Sequence, residues 1–271
     1  MRRQKSYWLY GMSILTYAFL YLPLCVVVLF SFNNSPLNAE WVGFTGHWYR
    51  QLLHNDRILS ATFNSLFIAI ITSIFSTILG TLAGVAIHRF KLKLLPLLIL
   101  TPIAIPELLM GCSLVIFFVT VNQFFIELFN WNFLELGLTT VIISHIAFCI
   151  GLVAIVVCAR MKDMDEGFVE AARDLGATPL QAFRLITLPA IMPSIVVGAL
   201  MSFTLSIDDF VITFFTAGTG VVTLPLEIYT KIRVITTPEI NAISSLLILF
   251  SMILALLAMR IAPNVFRSQH P

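Results

Sequence analysis

Six apolar runs, each about long enough to cross the roughly 30 Å hydrocarbon core of a bilayer as a helix, fill most of this chain: 9–30, 61–87, 94–119, 138–159, 190–215 and 240–261. The residues are 59% hydrophobic and 11% charged, against about 25% charged in soluble domains. Too little polar surface would remain to cover a soluble globule, so the fold class is an all-α membrane protein with six transmembrane helices. The four cysteines, Cys25, Cys112, Cys149 and Cys158, are unclustered inside apolar runs. They read as small hydrophobes, not as disulfides or metal ligands. The net charge of +2 comes with no basic patch, so no nucleic-acid partner is expected.

Arg2, Arg3 and Lys5 precede the first run, which is too long for a cleaved signal peptide and lacks a small-x-small site after it. It is expected to be an uncleaved span bent at Pro23. In the connection 31–60, Trp48 and Leu52 lie four apart, as do Tyr49 and Leu53, which suits a short interfacial helix. Trp41, Trp48 and Tyr49 suit an aromatic belt. His47 and His54 lack an acidic partner and read as exposed polar residues. Pro96, Pro102 and Pro106 predict a kink or break in the inner part of the third span. A turn region at 122–135 and an outer connection at 216–239 complete the layout.

Charge sets the orientation. With the N-terminus inside, the cytoplasmic pieces hold Arg2, Arg3, Lys5, Arg89, Lys91, Lys93, Arg160, Lys162, Arg173, Arg184, Arg260 and Arg267, and the outer ones hold Arg50, Arg57, Lys231 and Arg233. This division, twelve inside and four outside of the 16 Lys and Arg, obeys the positive-inside rule with both termini in the cytoplasm.

The longest soluble-looking stretch, 162–189 (KDMDEGFVEAARDLGATPLQAFRLITLP), lies between the fourth and fifth spans and is therefore cytoplasmic. Asp163 or Asp165 can cap a helix running through Leu175, and Gly176 can end it. Thr178-Pro179-Leu180-Gln181 restarts it with a capping box and a proline at the first position. A second helix is expected from 179 to about 187. Phe168, Ala171, Ala172 and Leu175 share one face of the first helix. The result would be a compact helix–glycine–helix knob that projects apolar surface, which an ordinary connecting loop has no reason to do.

Within it, Glu170-Ala171-Ala172, Gly176, Ile186, Leu188 and Pro189 match in full the pattern E-A-A, three residues, G, nine residues, I-x-L-P. The segment resembles the EAA signature of permease subunits in bacterial ABC importers. The stretches YLPLCVVVLFSFNNSP, WVGFTGHWY and SFTLSIDDFVITFFTAG resemble those of polyamine permeases for spermidine and putrescine, specifically the second of their two homologous permease subunits. The resemblance implies a type I (MetI-like) permease fold, one domain over 1–271 with the coupling segment 162–189 inside it, in the bacterial inner membrane. It implies that Glu170, Ala171, Ala172, Arg173, Gly176 and Ala177 couple the spans to a separate ATPase. The partners implied are a second homologous permease, a dimer of ATP-binding subunits that hold ATP and Mg, a periplasmic or other extracytoplasmic polyamine-binding protein, and membrane lipid. No cofactor is expected in this subunit, and the chain has no G-x-x-x-x-G-K-[ST] loop of its own.

Glu107, Asp208 and Asp209 are the acids expected at membrane depth, where a carboxylate usually faces a cavity or a partner. At about 1.5 Å per residue, unbroken helices would put Glu107 about 20 Å in from residue 94 and Asp208 about 27 Å in from residue 190. Such carboxylates suit an amine-rich cation, or alternatively serve only to cap backbone near the interface. Another small cationic or metal cargo, an ATP-independent secondary transporter and a membrane-bound enzyme are the rival readings. No H-E-x-x-H or nucleophile motif supports the last.

Overall fold

The computed structural model describes residues 7–36, 40–90, 94–165, 167–234 and 237–261. Among them the chain is helical: α1 (Tyr7–Phe30), α2 (His47–Leu52), α3 (Asp56–Phe90), α4 (Leu94–Ala104), α5 (Glu107–Phe129), α6 (Leu138–Lys162), α7 (Gly167–Asp174), α8 (Pro179–Ala182), α9 (Leu188–Asp208), α10 (Val211–Thr216), α11 (Leu224–Val234) and α12 (Pro238–Ile261), with a π-helical turn, Phe183–Thr187, joining α8 to α9. Among the described residues, six helices are long and apolar enough to cross a membrane. Arg2, Arg3, Lys5, Lys91, Lys93 and Arg267, which entered the charge count, lie outside the described residues.

The spans differ from the sequence expectation in three places. The third is two helices, α4 and α5, separated at Ile105 and Pro106. Pro106 has no N–H and adopts an extended backbone (φ −54°, ψ 134°), and the residue before a proline is pushed out of the α region. The crossing helix is therefore Glu107–Phe129, and the turn expected at 122–135 begins only at Asn130, whose left-handed backbone (φ 49°) ends α5. The fifth span breaks after Asp208, with α10 following as a separate short helix. The outer connection 216–239 contains a helix of its own, α11. The short helix expected around Trp48 is α2.

Two compact units divide the chain, Met1–Leu59 with Glu227–Phe250, and Ser60–Leu226 with Ser251–Pro271. In the first, α1 is exposed along its length, as a helix facing lipid would be. It runs through Pro23 as one helix. The loop after it folds on buried Asn33, whose Nδ2 donates to the Glu40 carbonyl at 2.7 Å and whose Oδ1 accepts from Val42 N–H at 3.0 Å. Trp48 Nε1 donates to the Asn33 carbonyl at 2.7 Å.

In the second unit α6 is the centre, half of its apolar window being buried. Glycines on neighbouring helices let backbones come close. A Cβ on Gly80 or Gly84 of α3 would stand 2.6 Å from Val153 Cβ or 2.8 Å from the Ala154 carbonyl, and one on Gly198 of α9 would meet Val153 at 3.1 Å. Gly151 of α6 itself admits the Ile99 carbonyl of α4. With no hydrophobic drive between helices in lipid, small residues and hydroxyl bonds supply the association. Ser76 and Ser202 accordingly bond at 2.6 Å between α3 and α9, and Ser73 donates to the Ala199 carbonyl at 2.8 Å.

Candidate functional site

Two places in the second unit carry the residues singled out from sequence. The first is the knob between α6 and α9. Asp165 Oδ1 accepts the Gly167 N–H at 2.9 Å and so starts α7. At its end, Gly176 N–H donates to the Arg173 carbonyl at 2.9 Å and Ala177 N–H to the Ala172 carbonyl at 3.0 Å, with Gly176 left-handed (φ +88°). That pair of bonds is the Schellman ending. Thr178 and Gln181 then cap each other's backbone N–H groups at 2.8 and 3.3 Å and start α8. The chain does not stop near Thr187 as expected but continues through the π-helical turn into α9.

Around the knob the side chains separate by face. Val169, Glu170 and Arg173 line a cavity of about 350 Å³ with Val85, His88 and Arg89 of α3, Met161 of α6, and Pro179, Ala182 and Phe183. On the other face Phe168 is 65% and Leu175 90% exposed, and Leu180 and Leu185 are exposed too. Ala171 is exposed, whereas Ala172 and Ala177 are half-buried. The knob and the π-helical turn after it thus hold four large apolar side chains out to solvent.

The second place is the break between α9 and α10. Asp209 leaves the helix with an extended backbone (φ −67°, ψ 127°). Its side chain is only 6% exposed. Its Oδ2 accepts from Thr213 N–H at 2.9 Å and from the Thr213 hydroxyl at 3.0 Å, and Oδ1 accepts from Ile212 N–H at 3.4 Å. His145 of α6, 2% exposed, places Nε2 3.2 Å from the same Oδ2. Nε2 also lies 3.0 Å from Thr213 Oγ1, and Nδ1 lies 2.8 Å from Ser206 Oγ. Both ring nitrogens are thus bonded, Nε2 on the Asp209 and Thr213 side and Nδ1 to the Ser206 hydroxyl. Asp208, one residue earlier, is exposed and, among the described residues, accepts a single hydroxyl, from Ser251 of α12 at 3.1 Å.

Glu107 is exposed as the first residue of α5. The depth of about 20 Å drawn from residue 94 assumed an unbroken helix at 1.5 Å per residue, and the break at Pro106 removes that assumption. The structure therefore brings His145, Ser206, Asp209 and Thr213 together and leaves Asp208 apart. His145 was missed in sequence, where only acids were sought at depth. Its signal was present, because it is the single basic side chain within 138–159. Among the described residues no three His, Cys, Asp or Glu side chains are grouped to hold a metal.

Residues 76–269 match the model of a family described as binding-protein-dependent transport system inner membrane components. The chain belongs to this family. Relatives of this inner membrane component include the putrescine transport system permease protein PotI of Escherichia coli (strain K12), 38% identical over 248 residues, covering 90% of this chain and 86% of that protein. The spermidine/putrescine transport system permease protein PotC of the same strain is 34% identical over 255 residues, covering 93% and 92%. A bacterial ABC transporter that imports the acidic polysaccharide alginate shares the fold, with a TM-score of 0.74 at 18% identity over 97% of this chain and 98% of that one. So does a bacterial alginate ABC transporter in complex with an alginate pentasaccharide-bound periplasmic protein, with a TM-score of 0.69 at 18% identity over 98% and 97%. The chain is thus an ABC importer permease subunit of the inner membrane, with the MetI-like fold, and not an enzyme; the ATPase is a separate subunit.

Proposed function

We propose that this permease moves polyamines of the spermidine and putrescine class, paired with a second homologous permease, a dimer of ATP-binding subunits and an extracytoplasmic polyamine-binding protein. The cargo follows from the relatives' names, putrescine for one and spermidine with putrescine for the other. ATP and Mg belong to the partner ATPase, since this chain has no phosphate-binding loop.

The observation that carries the coupling role is the knob's outward apolar face, on which Leu175 is 90% exposed. A patch of large apolar side chains on the cytoplasmic side marks a protein contact. Glu170, Ala171, Ala172, Arg173, Gly176 and Ala177 form the coupling segment in this reading: Phe168 and Leu175 beside them present the outward face, Glu170 and Arg173 stand on the cavity side, and the Schellman turn at Gly176 fixes the angle at which α8 leaves α7. Movement of the ATPase dimer would pass through the π-helical turn into α9 and shift the spans between inward- and outward-open states. Glu107, Asp208 and Asp209 are the cargo-path acids of the proposal. Asp208 stands first because its carboxylate is exposed and, among the described residues, accepts one hydroxyl.

Reconstitution of the chain with its permease partner, ATPase and capture protein in proteoliposomes tests this. Radiolabelled spermidine or putrescine should accumulate with ATP and not without it. Uptake that persists without ATP would remove the coupling role, and uptake of a different small cation with neither polyamine would replace the cargo.

A further inference from the structure

The sequence puts two carboxylates side by side, yet the structure treats them differently: the helix ends between them, and one residue on another helix joins the groups that engage the second. Asp209 has every obvious use for its oxygens taken up: two backbone N–H groups, one hydroxyl and the His145 ring. Asp208 is exposed. His145 is bonded on both sides of the interruption in the fifth span, to Ser206 in the last turn of α9 and to Asp209 and Thr213 beyond it. The imidazole projects from α6, the most buried of the spanning helices. A break in a helix leaves backbone groups to be satisfied locally; here the Asp209 carboxylate takes the Ile212 and Thr213 N–H groups, and His145 from the neighbouring helix bonds that carboxylate.

We infer that His145 is a positioning residue for recognition of the cargo's ammonium groups: it holds the α9–α10 break in one register, engages the Asp209 carboxylate, and thereby leaves Asp208 as the carboxylate offered to a cationic cargo. This rests on the polyamine reading above. His145 does not touch the cargo. It sets how many negative charges the cargo meets, and where. Cargo that differs in length or in number of amines should feel that setting unequally, so the ratio of spermidine to putrescine transported is its signature. A role confined to holding the fold would lower both rates together.

The test uses the reconstituted four-component importer with His145→Gln, His145→Asn and His145→Leu, alongside Asp209→Asn and Asp208→Asn. Uptake of each radiolabelled polyamine is measured at saturating loaded capture protein and normalised to permease in the membrane. Glutamine can place a donor near the position of Nε2, toward Asp209; asparagine reaches only the Nδ1 side, toward Ser206; leucine keeps bulk alone. Loss of the Nε2 bond should lower uptake by about tenfold, the scale of one buried hydrogen bond, in the leucine and asparagine variants, with glutamine recovering most of it. The spermidine-to-putrescine ratio should shift in His145→Leu and in Asp208→Asn. His145→Leu combined with Asp209→Asn should fall no further than the worse single change, whereas His145→Leu combined with Asp208→Asn should fall further.

If a variant is poorly assembled, the ratio still reports, because it is independent of abundance. An unchanged ratio in His145→Leu, or equal activity of the leucine and glutamine variants, would overturn the inference. Absence of polyamine uptake by the unaltered importer would instead strike at the cargo reading, so the two failures are told apart.

Discussion

The break at Asp209 and the knob at Gly176 lie at opposite ends of α9 and solve opposite problems. At the break, polar side chains are hidden inside an apolar bundle and each finds a partner: His145, Ser206, Asp209 and Thr213 form one closed set. At the knob, apolar side chains are held in water without cover, Phe168, Leu175, Leu180 and Leu185 among them. A closed polar set fixes helices to one another, because opening it leaves buried groups unpaired. An open apolar set is unfinished and calls for a second protein. Substitutions at the first should therefore register as lost stability, and those at the second as lost partnership.

The largest expected effect comes from opening the closed set. Asp209→Ala removes the acceptor for four donors and should cost about 3–5 kcal/mol, since each buried donor left unsatisfied costs about 1–3 kcal/mol. Thermal unfolding of the purified permease in detergent reads this directly, and an unchanged midpoint would show that the set holds nothing together.

Gly84→Leu comes next. It drives a side chain into the Ala154 carbonyl, 2.8 Å from the new Cβ, and overpacking of this kind costs about 1–3 kcal/mol. The same unfolding measurement should show a smaller drop than for Asp209→Ala; a larger one would place the anchoring of α6 in the α3 seam instead.

Gly176→Val adds a β-branched side chain where φ is +88°. Nothing lies within 4 Å of its Cβ, so the cost is conformational, about 1–2 kcal/mol, and local to the knob. The expected outcome is an intact bundle with ATP-driven uptake sharply reduced; normal uptake would argue that the turn angle is irrelevant.

Leu175→Asp should move stability least, within about 0.5 kcal/mol as for other exposed positions. Even so, the ATPase should no longer co-purify. Retention of the ATPase by this variant would mean that the exposed face is not where the partner sits.

The spans and the knob were legible because their signals are local. Runs of apolar residues declare their own length, and Thr178, Pro179 and Gln181 declare a helix start within four positions. The interruption of the third span at Pro106 was legible as a break but not as a boundary, since a proline shows where a helix fails and not which side carries the crossing. The polar set was illegible for a different reason. His145 and Asp209 lie 64 positions apart in sequence, and only the packing of α6 on α9 makes them neighbours. Two adjacent aspartates also look equivalent in a one-dimensional text. Their separation into a buried acceptor and an exposed one required the helix to end between them.

The π-helical turn at Phe183–Thr187 has a mechanical meaning of its own. Because no loop separates the knob from the fifth span, α9 is a stiff shaft of 21 residues, about 32 Å long at 1.5 Å per residue, gripped at one end by the turn and ending at Asp208 at the other. A shaft of that kind delivers rotation as readily as thrust. The wide turn stores one residue more per coil than the α-helix on either side, so tightening it by a single hydrogen-bond step would spin the far end by about a quarter turn. Asp208, the last residue of that shaft, would turn with it.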